Sequence, residues 1–140
     1  MIAIINGPNL NLLGKREPQI YGHETFENCL RNLRETFPDT PIEYFQSNCE
    51  GEIIDHLHKL GYGTPDCKGI VINPGAYSHY SYAIADAIAA IPQPVVEVHI
   101  SNIMSRDEFR HQSVTAPVCK GMLTGFGLKG YEMAIRFLLS

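Results

Sequence analysis

No apolar run in these 140 residues is long enough to span a bilayer, which takes about 20 consecutive apolar residues as a helix. The first residues carry neither a charged leader nor a small-residue cleavage site, so the expected address is the cytoplasm, with no membrane partner. Basic clusters are also missing and the formal net charge is -4, which argues against nucleic acid as a partner. A small anionic ligand would have to be held by local donors rather than by a global field. The four cysteines, Cys29, Cys49, Cys67 and Cys119, lie far apart and form no CxxC pair. Reduced thiols that mostly pack are expected, rather than a disulfide framework or a zinc site. P-loop, GxSxG and HExxH signatures are absent. With no metal ligands at workable spacing, neither metal nor cofactor is expected, and acid–base chemistry is the simplest enzyme class.

What is present alternates between apolar runs and amphipathic stretches. Ile2 to Ile5 reads as a first buried strand. Thr25 to Phe37 reads as a helix, with Phe26, Cys29, Leu30, Leu33 and Phe37 at helical spacing and Thr25 as its cap. Ile42 to Gln46 is a second strand, Glu50 to Leu60 a second helix stopped by Gly61, and Gly69 to Asn73 a third strand. Ser78 to Ile91 is an alanine-rich third helix ended by Pro92 and Pro94. Val95 to Ile100 is a fourth strand, Val118 to Leu123 a fifth, and Tyr131 to Leu139 a closing helix. The glycine-rich run Gly125 to Gly130 is read as a tight turn into that helix. Continuously apolar strands alternating with helices imply a parallel sheet covered on both faces. The expected class is α/β: a flavodoxin-like, doubly wound, five-stranded parallel sheet in a single domain, residues 1–140.

Such sheets bind ligands beyond the carboxyl ends of their strands, and the polar residues of this chain collect there. Ile5 to Gly22 follows the first strand and holds Asn9, Arg16 and Tyr21 together, which a plain connector does not need. Leu10, Leu12 and Leu13 can anchor its first half, and Gly14 to Gly22 is expected to be a mobile flap. A tyrosine close to an arginine is a way to make a phenolate, although a solvated loop would also explain this composition. Asn73 to His79 offers Asn73 and His79 to a ligand at the start of the third helix; a turn capped by Ser78 is the other explanation. Glu97, His99 and Ser101 share one face of the fourth strand, with Val96, Val98 and Ile100 on the other. A carboxylate beside an imidazole holds its tautomer, which suits a general acid, and a purely structural Glu–His pair is the alternative. Of Arg106 and Arg110, one is expected to aim at the site and the other to be a surface or interface cation. His56 and His58 are read as a solvated helix surface.

The blocks INGPNLNLLGKREPQIYG, NPGAYSHYS, EVHISN, EFR with a following serine, and GLKGYEMAIRFLL together resemble type II 3-dehydroquinate dehydratase. The resemblance runs from Ile2 to Leu139. It implies a flavodoxin-like enzyme without metal or cofactor, assembled as a dodecamer of trimers. The implied reaction dehydrates 3-dehydroquinate to 3-dehydroshikimate, in the shikimate route to aromatic compounds or in quinate breakdown. By motif, Tyr21 corresponds to the base that takes a C2 proton, and Arg16 to the cation that keeps it ionised. His99 corresponds to the acid that protonates the departing C1 hydroxyl, oriented by Glu97, and Asn9 to a ligand of a water on the enolate. Asn73, His79, Ile100, Ser101 and Arg110 are implied at the substrate, with Asp86 reaching in from a neighbouring subunit. Cys49 stands where the family pattern suggests histidine, and Met104-Ser105 where a polar or alanine-bearing pair is usual. None of the implied reactive positions is a lysine, so a Schiff-base route is not supported. A non-catalytic flavodoxin-like domain binding a small ligand or phosphate is the competing reading; it calls for hydroxyl- and glycine-rich loops, whereas the first loop holds Pro8, Leu10 and Leu12. A regulatory homologue without activity would be expected to lack Tyr21, Arg16 or His99, and all three are present.

Overall fold

A computed structural model describes residues Met1 to Ser140. Strands β1 (Ile2–Asn6), β2 (Ile42–Gln46), β3 (Gly69–Asn73), β4 (Val95–His99) and β5 (Gly121–Thr124) form one sheet in the order β2-β1-β3-β4-β5. Every pairing is parallel. This is the flavodoxin-like winding, whose strand order reverses between β1 and β3. The helices are α1 (Pro18–Tyr21), α2 (Phe26–Thr36), α3 (Glu50–Gly63), α4 (Tyr82–Ala90) and α5 (Lys129–Leu139).

The strand period of two sorts the apolar residues into two layers. Ile2, Ile4, Val71, Val96 and Val98 meet α2 and α5 on one face. Ala3, Ile5, Ile70, Ile72 and Val95 meet α3 and α4 on the other. Each isoleucine, leucine or valine buried in this way stabilises the fold by roughly 1.5–3 kcal/mol. Helix α2 forms where expected: Thr25 accepts the Asn28 N–H at 3.3 Å, and Phe26, Cys29 and Leu33 recur on the buried side.

Several boundaries differ from the sequence reading, and the closing helix starts at Lys129 rather than Tyr131. The third helix starts at Tyr82, because Gly75–His79 forms a separate 3-10 turn. Its cap is Ser81, which accepts the Ile84 N–H at 3.0 Å, while Ser78 is buried and donates to the Gly75 carbonyl. Helix α3 runs past Gly61 to Gly63. There glycine serves close packing rather than termination: a Cβ on Gly61 would lie 2.4 Å from the Ile91 Cγ2. The chain from Ala116 to Val118 is a 3-10 turn around Pro117, so β5 begins at Gly121. Finally, β1 reaches Asn6 and β4 stops at His99. His56 is also not merely solvated, because its ring stacks on Phe45 with centroids 4.1 Å apart.

Candidate active site

Beyond the carboxyl ends of β1, β3 and β4 the loops converge on one pocket. Gly7 allows the first loop to meet the third: a Cβ there would lie 2.6 Å from the Pro74 carbonyl oxygen, and its N–H donates to Asn73 at 2.8 Å. Asn9 then turns the chain in the left-handed region, at φ 70, which asparagine tolerates. Its N–H is bonded to Asn48 Oδ1, and its side chain lines the pocket with no hydrogen bond to the rest of the chain.

Tyr21 ends α1 and brings a phenol to the pocket wall. Its oxygen accepts from Arg106 Nη1 at 2.8 Å and from Arg16 Nη2 at 3.3 Å. The Arg16 and Arg106 guanidiniums also lie over its ring, 4.6 and 5.4 Å from the centroid. Arg16 is divided, since the same Nη2 donates to Glu17 Oε2 at 2.9 Å. Glu17 itself sits at φ 39, a left-handed conformation uncommon for a residue with a side chain. Arg106 was not singled out for the site by sequence; the structure lines the pocket with both Arg106 and Arg110 rather than one of them. The Nε of Arg110 is buried with no hydrogen-bond partner, although its guanidinium packs over Phe109.

The other wall is β4. Glu97 is fully buried and His99 nearly so, and they meet at 2.7 Å between Glu97 Oε2 and His99 Nε2. The remaining His99 nitrogen, Nδ1, has no protein partner. His79 lies beside it, with ring centroids 6.4 Å apart. Because a carbonyl can only accept, the 2.8 Å contact to Gln112 makes His79 Nδ1 a donor and leaves Nε2 free. Burial holds His79 below the ordinary imidazole range; the nearby His99 and Arg110 push the same way, and the Gln112 bond and Glu97 oppose them. Past β4, Ile100 and Ser101 line the pocket and their N–H groups make no hydrogen bond within the chain. Ser101 Oγ accepts from Arg106 at 3.2 Å.

Asn73 is oriented from below. Its Oδ1 accepts the Gly75 N–H at 3.1 Å, and its Nδ2 donates to the Tyr131 hydroxyl at 3.0 Å. Tyr131 in turn donates to Asn6 Oδ1 at 2.7 Å, so a helix from the far end of the chain reaches two strand ends. Nothing in the sequence pattern separates Tyr131 from an ordinary core aromatic. Asp86 lies on the exposed side of α4 and does not line the pocket within one chain.

The run Gly125 to Gly130 does have G-x-G-x-x-G spacing, a phosphate-cradling pattern when it joins a strand to a helix inside a βαβ unit. Here it follows the edge strand β5, and no strand follows α5. Its glycine N–H groups are also committed: Gly125 donates to His99, Gly127 to Ile100 and Gly130 to Gly127. The loop braces the end of β4 and does not serve as a phosphate cradle.

This pocket pairs a phenol between two cations with an imidazole backed by a carboxylate, a set suited to removing one proton and delivering another. Comparison with known proteins agrees with that chemistry. The family model for dehydroquinase class II matches residues 1–139. The 3-dehydroquinate dehydratase of Clostridium botulinum is 55% identical over 141 residues, covering 99% of this chain and 94% of the relative. That of Caldicellulosiruptor bescii is 53% identical over 136 residues, covering 96% and 92%. The crystal structure of type II dehydroquinase from Butyrivibrio crossotus superposes with a TM-score of 0.89 at 52% identity, covering 99% of this chain and 97% of that one. On a match that spans the chain and on identities above one half, this chain belongs to the class II dehydroquinases.

Proposed function

We propose that the chain dehydrates 3-dehydroquinate to 3-dehydroshikimate by metal- and cofactor-free anti elimination, as a shikimate-route hydro-lyase. The observation that carries this reading is that Tyr21, bonded by Arg106 and Arg16, and His99 of the buried Glu97–His99 pair line one pocket. Opposite charge beside a phenol stabilises its phenolate. The Tyr21 oxygen takes the C2 proton, and the electron pair moves onto the adjacent carbonyl as an enolate. Asn9, with its side chain uncommitted, holds a water on that oxyanion. The enolate then expels the C1 hydroxyl as His99 delivers a proton to it, so the products are the enone and water. The Ile100 and Ser101 N–H groups and the Ser101 hydroxyl receive the substrate carboxylate. Asn73, His79 and Arg110 hold the ring hydroxyls.

Residues 1–140 act as one catalytic domain in the cytoplasm, within a dodecamer of trimers in which Asp86 completes a neighbour's pocket. The exposure of Asp86 on α4 supports its being available to a second chain. The test is direct: purified protein is mixed with 3-dehydroquinate and the conjugated enone is followed by its absorbance. Enone formation without added metal is expected; a protein that binds the compound and leaves it unchanged would favour a binding domain instead.

A further inference from the structure

We propose that Ser113 and Thr115 are positioning residues that clamp Glu97 with both oxygens as acceptors, so that His99 donates to it from Nε2–H and turns Nδ1, which carries the proton to be delivered when the ring is protonated, to the substrate. The proposal rests on the dehydratase reading above and adds two side chains which that reading does not use. A fully buried carboxylate needs donors on both oxygens, and no arginine or lysine reaches Glu97. Its donors are instead His99 Nε2 and Ser113 Oγ, each 2.7 Å from Oε2, and the Thr115 hydroxyl on Oε1.

The geometry commits both hydroxyl protons. Ser113 Oγ accepts the Ala116 N–H at 3.0 Å and lies 3.1 Å from Thr115 Oγ1; the Glu97 carboxylate, at 2.7 Å, is the shorter and charged acceptor for its single proton. Thr115 is fully buried, so no solvent competes for its hydroxyl. The segment between them is pinned to the pocket, because the Val114 N–H donates to the Ser78 carbonyl at 2.7 Å. Burial first, and the neighbouring Glu97 second, push the Cys119 thiol up to about 12. With Oε2 receiving Ser113 and Oε1 receiving Thr115, Glu97 presents only lone pairs to the imidazole. The ring must then donate from Nε2, and Nδ1 is the nitrogen left for the departing hydroxyl.

Three variants separate positioning from mere support. Thr115→Val keeps shape and deletes the donor; Ser113→Ala deletes the other; Thr115→Ser restores the hydroxyl. Dehydration should fall about 10- to 100-fold in Thr115→Val, the usual weight of a hydrogen bond to a charged group, and recover in Thr115→Ser. Exchange of the C2 proton in deuterated water should stay within about 3-fold, since the Tyr21 wall is untouched. Equal loss of exchange and dehydration, or unchanged dehydration, would overturn the proposal. Should Thr115→Val fail to fold, Ser113→Ala and the imidazole nitrogen shifts of wild-type His99 decide: an Nε2 without a proton in the free enzyme overturns the clamp. Absence of both exchange and dehydration in the wild-type protein would instead remove the dehydratase reading, and this proposal with it.

Discussion

Tyr21 and His99 face one pocket from supports of opposite kinds. His99 stands on a central strand, 6% exposed, and its partner Glu97 is sealed by Ser113 and Thr115. Tyr21 stands at the end of a single helical turn, held by side chains of which Arg16 is 29% and Glu17 45% exposed. The strand wall is assembled as the sheet folds. The loop wall depends on two arginines arriving from different segments, one of them 85 residues away. Burial makes the first wall costly to perturb and tolerant of conditions, whereas half-exposed charge makes the second sensitive to salt and to loop sequence. On the proposed mechanism the proton donor stands on the sheet and the base on the loop.

The largest expected effect comes from removing the base. Tyr21→Phe keeps the ring and deletes the oxygen, and kcat should fall about 100- to 10,000-fold with KM nearly unchanged. Near-normal kcat with a raised KM would make Tyr21 a binding residue and dissolve the two-wall contrast. Next come the two cations. Arg106, at 2.8 Å and without a competing carboxylate, should matter more than Arg16, which shares its donor with Glu17. Arg106→Ala should cost about 100-fold in kcat/KM and Arg16→Ala about 10-fold, within the range for hydrogen bonds to charged groups. The reverse order would show that the loop rearranges before chemistry.

A smaller effect tests the support beneath Asn73. Tyr131→Phe leaves Asn6 Oδ1 and Asn73 Nδ2 without a partner in the core, and should lower unfolding stability by about 1–3 kcal/mol in denaturant titration. An unchanged midpoint would mean that water replaces the hydroxyl. The smallest effect is on pH dependence. Burial holds His56 below the ordinary imidazole range, with Lys59 helping and Glu43 opposing. The unfolded chain therefore takes up this proton more readily than the folded one, so stability is lost as pH falls below about 6.5 and levels off once the depressed value is passed. Thermal melts between neutral and mildly acid pH should show this decline, and His56→Phe, which preserves the stack on Phe45, should make it shallower. Identical slopes would clear His56 of any part in acid sensitivity.

Much of this molecule was legible from local pattern. Apolar runs marked the strands: β2 and β3 carry the residues expected, and Thr25 caps α2 as read. Motif blocks placed Asn9, Tyr21, Asn73, His79 and His99 at strand ends or in the segments just beyond them, which the α/β topology gathers at one sheet edge, and all five line the pocket. Period-two spacing alone placed Glu97 and His99 on one face. Gly61 shows where such reading ends, because a glycine that looks like a stop is explained only by Ile91 lying against it.

What the sequence determined by itself was the five strands, the four longer helices, their parallel winding and the chemical types at their ends, since these follow from spacing along the chain; helix α1 fell in a stretch read as a mobile flap. Only the tertiary structure decided which cation sits closest to Tyr21, which hydroxyls close on Glu97 and which phenol orients Asn73. Those contacts join residues 16 to 85 positions apart. No local periodicity encodes them; they exist because helices packed on two faces of a twisted sheet bring distant loops to a common edge, where buried polar groups must find partners.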